Sequence, residues 1–473
     1  MFNIAFPLDL NAAARGSETA VIAGDRRLSH HDFALMVRRA AGHLKAQGIG
    51  PGQRVGLALK DTPEHLAALF ALARIGAVTV PVDWRWSGPE KARMRDAFGC
   101  QAILGEADDP AASLAFGLGE PDSAPPAPPG PLIIALSSGS TGLPKGPVIG
   151  HAQMVARFMT QWVTLGLGAD RFLAVTPLYF GAGRAFCLST LVAGGTVILL
   201  PPPHRPGDIV AAANRHGATT MFLVPTLLRA LLAEAGPAPA FPGLSVLILS
   251  GAALHAGEHA AARARLTGNL FNYYASTEGG GIAVLRPDDG RPDSVGRPAF
   301  LVEVEVVDDA GRRQPPGVVG SLRYRGPGVA PAPPGDPAFD GEWFRPGDLA
   351  AIDADGFVVL AGREKEVINR AGVKIHPAEV EAALLSHPAV AEAAVVAWPG
   401  GPRGEEVAGF VVLREAVPAA AVLEHLRGRL APYKVPRALF LRDSLPKSAL
   451  GKILKLALRD SLPPLDGGNP ATP

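Results

Sequence analysis

Residues 137–146 read SSGSTGLPKG, and they follow PLIIAL (131–136), an apolar run with the length and composition of a buried strand. A loop this rich in Gly, Ser and Thr, with one Lys, is suited to surrounding phosphate. Its glycines let backbone N–H groups approach an anion, its hydroxyls donate hydrogen bonds, and Lys145 adds a point charge. It is not the GxxxxGK[ST] loop of the common NTPases, because Gly146 follows Lys145 and the spacing differs. Alone, such a turn reads as a surface loop. It does not stand alone: YYASTEGGG (273–281), WFRPGDL (343–349), GREKEVINRAG (362–372) and PKSALGK (446–452) follow in that order.

Around the loop, short apolar runs alternate with helical patterns. TAVIAG (19–24) and RVGLAL (54–59) read as strands, whereas residues 29–48 and 62–76 repeat apolar residues at spacings of three and four. Ser29 and Thr62 suit N-caps, and Gly48 and Gly76 suit helix stops. The pattern continues through VILLPPP, a helix near 207–216, TTMFLVP, a helix at 226–235 and LSVLILSGA. Strand and helix in alternation predict parallel sheets covered by helices. From about residue 293 the texture changes to β-rich runs with Gly and Asp-Gly turns, which predict an antiparallel, barrel-like subdomain. After GREKEV a compact α+β segment follows, with helices at 377–386 and 418–429. The expected fold is therefore α/β: a large N-terminal domain (1–362) of two helix-covered sheets plus the β-barrel-like subdomain, and a small α+β C-terminal domain (363–473).

Bulk properties exclude several classes. At 473 residues the chain exceeds one ordinary core. Its 45 basic and 44 acidic residues nearly cancel, which gives no support for nucleic-acid binding. Cys100 and Cys187 are too few for a disulfide frame or a zinc site, in keeping with a reducing cytoplasm. The N-terminus lacks the basic-then-apolar order of a signal peptide. The most apolar stretch, Phe172–Leu200, is broken by Pro177, Arg184 and several glycines, so no membrane span is expected.

Together the five motifs make the chain resemble the adenylate-forming superfamily of acyl-CoA synthetases, adenylation domains and luciferases, from about Thr19 to about Leu458. The resemblance implies that Ser138, Gly139, Ser140, Thr141, Gly142 and Lys145 hold the β- and γ-phosphates of ATP. It aligns Tyr274 with an aromatic that packs on adenine, Thr277 with a hydroxyl donor to phosphate, and Glu278 with the carboxylate that holds Mg²⁺. A flat ring suits a purine, and a hard carboxylate oxygen suits Mg²⁺. Ala275 stands where the family usually has Gly. The segment Ser250-Gly251-Ala252-Ala253 resembles a strand end that lines both the adenine and the acyl pockets. Asp348 matches the acid that accepts from both ribose hydroxyls, with Pro346 in place of the usual Thr; Arg363 is expected at the ribose or phosphate, or in a salt bridge between domains. Lys452 matches the lysine that contacts both substrates during adenylation. A cation between two anions in a dry site lowers the barrier to their meeting. Lys365 matches a hinge about which the mobile C-terminal domain turns, after which Gly372 faces a pantetheine arm.

The acyl pocket is less defined. In PLYFGAGR (177–184), Phe180 takes the place of the residue that gates the carboxylate. Arg184 reads either as a partner for a second carboxylate or as an ordinary structural arginine. Gly279, Gly280 and Gly281 leave side chains off one pocket wall. The expected activity is AMP-forming acid–CoA ligation, with ATP, Mg²⁺ and CoA. Two alternatives stand beside it: a free-standing adenylation enzyme that loads a carrier protein, and a non-catalytic nucleotide- or acyl-binding relative. Retention of Lys145, Glu278, Asp348 and Lys452 together argues against the last.

Overall fold

The computed structural model describes residues 2–105, 119–136, 146–251, 256–370, 373–401, 404–447 and 451–465. The chain forms two compact units, Met1–Glu303 with Tyr324–Phe344, and Val304–Arg323 with Arg345–Pro473. The Gly362–Lys365 stretch lies within the second unit.

In the first unit, six parallel strands form the centre of one sheet, in the order Leu270–Ser276, Val246–Leu249, Thr220–Leu223, Arg171–Ala174, Thr196–Leu199 and Thr19–Ala23. Arg26–Ser29 adds antiparallel at one edge; Gly280–Leu285 and then Arg297–Pro298 add at the other. The second sheet runs Ala102–Gly105, Arg54–Ala58, Val78–Pro81 and Pro131–Ile134 in parallel, closed by antiparallel Val148–Gly150. Most of these strands are four or five residues long and largely apolar, as suits strands covered on both faces.

One apolar layer joins the sheets through helices. The helix Pro63–Arg74 starts where Thr62 Oγ1 accepts the His65 N–H, and all its residues except Glu64 are buried. Helix His30–Ala46, opened by a Ser29–Asp32 capping box, packs alongside, with Phe33 edge-on to Phe70 at 6.1 Å between ring centres. Helices His151–Leu165 and Gly181–Val192 complete the layer. The strand and helix positions expected from periodicity between residues 19 and 104 are found. Helices Phe6–Ala14, Gly88–Phe98, His151–Leu165 and Gly181–Val192 are among the elements that periodicity left unassigned. The apolar stretch 172–200 is a strand, a twelve-residue helix and a strand, and no helix among the described residues is long and apolar enough to cross a membrane.

In the second unit, Asp348–Ile352 and Val358–Arg363 form an antiparallel hairpin around the Asp353–Gly356 turn, and Gly320 and Ser321 pair with Ala350 and Leu349. Beyond it, Val390–Gly401 pairs with Gly404–Leu413, which pairs in parallel with Ala438–Leu441 and, at Gly404, with the small hairpin Ile368–Arg370 and Val373–Ile375. Helices Pro377–Leu385 and Ala419–Arg427 bury Val380, Leu384, Val422 and Leu426 in one core. Leu458 of the helix Lys455–Asp460 belongs to another, with Val396, Trp398 and Phe410.

Two imidazoles in the first unit are buried uncharged. His65 and His151 are both pushed down to about 4 by burial, and His151 Nδ1 accepts the Ile4 N–H at 3.0 Å. Unfolded histidine titrates near 6.5, so the unfolded state binds more protons between that value and about 4. The contribution is therefore complete above pH 6.5 and lost as pH falls toward 4. Asp61, pushed up to about 6 by burial, titrates with the opposite sign and offsets part of this slope. The substitution His151→Asn keeps an acceptor for Ile4 but removes the basic nitrogen. Melting temperatures recorded from about pH 7 down to about pH 4.5 will fall less steeply in that variant than in the wild type.

Candidate active site

In the first unit, candidate residues gather at the end of the strand Leu270–Ser276. Alternation along this strand sends Tyr273 into the core, where its ring meets Phe186, and leaves Tyr274 on the other, half-buried face. Burial pushes the Tyr273 phenol up to about 12, so it stays neutral. Tyr274 is thus the ring with a partly open face, where adenine is expected. Thr277 and Glu278 follow in the tight turn into Gly280–Leu285, both half-buried.

This turn is fixed by a residue that no motif identified. Arg157, on the helix His151–Leu165, donates Nε to Gly328 O at 2.8 Å, Nη1 to Thr277 O at 3.3 Å and Nη2 to Glu278 O. Glu278 O also accepts the Ala330 N–H at 2.8 Å. With the turn's carbonyls tied down, the side chains of Thr277 and Glu278 are aimed by the backbone. Burial pulls the Arg157 guanidinium down to about 10. A signal for it was present: Arg157 is the sole Lys, Arg, Asp or Glu in HAQMVARFMTQWVTL.

The glycines of the turn serve packing. A Cβ on Gly279 would lie 2.3 Å from the Tyr324 ring, and one on Gly281 would lie 2.0 Å from the Tyr273 hydroxyl. Gly280 has φ +73°, with the Arg157 side chain 3.0 Å from its Cβ position. The missing side chains make room for these three groups. Tyr324 OH in turn pairs with Ser276 Oγ, which accepts the Gly279 N–H at 2.9 Å.

The segment Pro177–Arg184 is held from below. Arg184 is buried, and its Nη1 donates to Leu178 O and Tyr179 O, both at 2.9 Å, while burial lowers it to about 10. These bonds hold the loop that precedes the arginine's own helix. Asp61 Oδ1 accepts the Leu178 N–H at 2.8 Å, and Arg85, paired with Asp83, donates to the Tyr179 hydroxyl at 2.5 Å. Phe180, half-buried against Tyr179 at 4.5 Å, caps the next helix. Gly251, at φ +107°, follows the strand Val246–Leu249.

The second unit gathers a separate set. Asp348 and Arg363 face each other across the hairpin, with Arg363 Nε 2.8 Å from Asp348 Oδ1. The Asp348 carboxylate is 9% exposed, which preorganises it as an acceptor. Lys452 stands within electrostatic reach of this pair. Its ammonium is held below the ordinary lysine range by desolvation first and by Arg363 next, with Glu366 and Asp348 opposing and Lys365 adding to the fall. Lys365 sits in the short 3₁₀ turn Glu364–Glu366. Ser138, Gly139, Ser140, Thr141, Gly142, Lys145, Ala252 and Gly372 lie outside the described residues. No group of three or more potential metal-ligating side chains exists among the described residues. A half-buried carboxylate on a fixed turn fits Mg²⁺ all the same, because this ion takes one or two protein carboxylates and fills its sphere with water and phosphate.

Residues 8–332 match the family described as AMP-binding enzyme, and residues 379–452 match the AMP-binding enzyme C-terminal domain. The chain is similar to feruloyl-CoA synthase of an Amycolatopsis species, at 34% identity over 93% of this chain and 95% of the relative. It is also similar to indoleacetate–CoA ligase of Aromatoleum aromaticum, at 30% identity over 95% and 96%. Among solved structures it resembles O-succinylbenzoate coenzyme A synthetase of Bacillus subtilis in complex with ATP and magnesium ion, with TM-score 0.87, 25% identity and coverage of 96% and 99%.

Removing Arg157 takes this donor from the Gly328 and Thr277 carbonyls and leaves Glu278 O with the Ala330 N–H, at about 1–3 kcal/mol for each carbonyl left buried and unpaired. Arg157→Met is expected to lower the melting temperature and to weaken ATP binding about tenfold or more by calorimetry. Arg157→Lys, lacking the planar fork, recovers only part of both.

Proposed function

The chain belongs to the AMP-binding enzyme family, and from that premise we propose that it joins a carboxylic acid to coenzyme A in two steps. In the first, a carboxylate oxygen of the acid attacks the α-phosphorus of ATP. The bond from that phosphorus to the bridging oxygen breaks, and acyl-AMP and pyrophosphate result. In the second, the CoA sulfur, as thiolate, attacks the acyl carbonyl and AMP leaves with the bonding electrons.

The observation that carries this reading is the cluster around Lys452. An ammonium within electrostatic reach of the buried Asp348 carboxylate and its partner Arg363 is poised for anions. At an effective dielectric of 20, two unit charges at 4 Å repel by about 4 kcal/mol, and a cation between carboxylate and phosphate removes much of that barrier. A protein that only bound nucleotide would have no use for such a lysine. Asp348 offers two acceptors to the ribose diol, and Arg363 holds that carboxylate in place. Tyr274 would stack on adenine, Thr277 would donate to phosphate, and Glu278 would hold Mg²⁺, which would supply charge neutralisation for pyrophosphate. The loop 137–146 takes the β- and γ-phosphates. Lys365 is the pivot that withdraws Lys452 before the thiol arrives, and Gly372 leaves space for the pantetheine arm.

For the acid, the committed hydrogen bonds of Arg184 speak against a second carboxylate at that position. Phe180, displayed beside Tyr179, offers an apolar surface to the acyl group. A carrier-protein thiol remains the alternative acceptor, and the test below separates it.

Pyrophosphate release is measured with ferulate, indole-3-acetate, benzoate, hexanoate and malonate, with and without CoA. Turnover to acyl-CoA and AMP that requires CoA supports the ligase; a burst of pyrophosphate that CoA does not relieve points to a carrier protein. Lys452→Ala is expected to abolish pyrophosphate formation while leaving CoA attack on supplied acyl-adenylate largely intact, and equal loss of both steps would remove it from this role. Glu278→Gln is expected to raise the magnesium concentration needed for half-maximal pyrophosphate release, with no change counting against it.

A further inference from the structure

Three residues beyond Lys452, Lys455 opens the helix Lys455–Asp460, and its charge has no place in the chemistry above. Its Nζ lies 2.8 Å from Glu366 Oε2 and 2.8 Å from Glu381 Oε1. All three side chains are between 18% and 24% exposed. Burial works against this ammonium, but Glu381 and Glu366 outweigh it and raise Lys455 above the ordinary lysine range. Glu381 Oε1 also accepts the Val395 N–H at 2.7 Å. One cation therefore ties its own helix to the 3₁₀ turn Glu364–Glu366, to the helix Pro377–Leu385 and to the strand Val390–Gly401.

The loop that carries Lys452 is fastened at its base as well. Lys447 and Ile453 form an isolated bridge, the Leu454 N–H donates to Pro446 O at 2.8 Å, and Lys447 Nζ pairs with Glu392 at 2.6 Å. On the other side of Lys365 the attachments belong elsewhere. The Glu364 N–H donates to Gly347 O at 3.0 Å, and Arg363 pairs with Asp348. So the residues just before Lys365 are tied to the 348–363 hairpin, and the residue just after it is tied through Lys455 to the body that carries Lys452.

We propose that Lys455 is a positioning residue whose ion triad with Glu366 and Glu381 joins the Lys452 loop to the C-terminal side of the Lys365 turn as one rigid piece. The functional half of this inference rests on the roles proposed above for Lys452 and Lys365. A rotation at Lys365 then moves Lys452 without slack, and adenylation depends on the triad while thiol transfer does not. The charge is needed in a fork-independent way: two separate carboxylates on one ammonium accept Arg as a substitute.

The link itself is read without activity, by hydrogen–deuterium exchange on the full chain. In Lys455→Met, amides of 364–368 and of 451–456 are expected to exchange faster together, by about tenfold, which is about 1.4 kcal/mol of lost protection. Lys455→Arg restores both segments. Faster exchange confined to 455–460, with 364–368 unchanged, overturns the proposal. Should Lys455→Met fail to fold, Glu381→Gln decides by the same two segments. In acid-dependent ATP–pyrophosphate exchange with ferulate or indole-3-acetate, Lys455→Met is expected to fall about tenfold, while transfer from supplied acyl-adenylate to CoA changes by less than about twofold. Equal falls in both steps also overturn it. Absence of exchange with every acid in the wild type would instead count against the ligase reading, and the hydrogen-exchange result would still decide the triad.

Discussion

The helix Pro63–Arg74 is buried around nearly its whole circumference, and the first unit is arranged so that it can be. A helix apolar on every side needs cover on every side. Two sheets and three further helices provide it, in one continuous apolar layer. The helix ends on Arg74, itself 4% exposed, whose charge is met by Asp9 at 2.7 Å and by the Ala124 carbonyl at 2.6 Å. A cation at a helix C-terminus is favoured by the peptide dipoles, and one this desolvated requires a partner. The connection 119–130 and the N-terminal helix Phe6–Ala14 are thereby drawn onto the layer.

From this frame the chemistry is held by backbone geometry more than by side-chain contact. Thr277 and Glu278 are aimed because Arg157 grips their carbonyls from a neighbouring helix. The loop Pro177–Phe180 is aimed because Asp61, Arg85 and Arg184 grip it from three elements. Arg157, Asp61 and Arg184 are largely buried polar groups satisfied by backbone, which are costly to leave unpaired and therefore specify one arrangement. In the second unit the same logic appears with charges: Arg363 on Asp348, and Lys455 on Glu366 and Glu381. Lysines three residues apart in GKILK are thus divided between an ammonium surrounded by charges of both signs and one locked between two carboxylates.

Much of the architecture was legible because its signals are local. Apolar runs of four or five residues bounded by Gly and Pro, Ser29 and Thr62 as caps, and Asp-Gly turns each report on their own segment, and they appear where periodicity set them. Six helices among the described residues went unassigned, two of them for a plain physical reason. Gly181–Val192 carries glycines at its start and little amphipathic contrast, because it is buried on most sides; Gly88–Phe98 is mostly polar and shows no apolar stripe. Motif spacing pointed to candidate ligand residues, and it was silent on Arg157, Asp61 and Lys455, which meet other parts of the protein.

What the sequence determined by itself was the order of motifs along the chain: a Gly/Ser/Thr-rich loop with one Lys, an aromatic-Thr-Glu turn, the acid of WFRPGDL, the GREKEV stretch and the lysine of PKSALGK. These depend on residue type and short spacing, and chemistry at a ligand reads the same in one dimension as in three. Only the tertiary structure decided what the glycines after Glu278 are for, which of the two adjacent tyrosines is open, that Arg184 is spent on carbonyls, and that Lys455 is an anchor. Those outcomes are set by which side chain occupies a given volume or satisfies a given carbonyl. Several partners lie on another element far along the chain: Arg157 and Glu278 are 121 positions apart, and Lys455 and Glu366 are 89. A one-dimensional spacing holds no record of such a pairing, because packing and desolvation act only once the chain has folded.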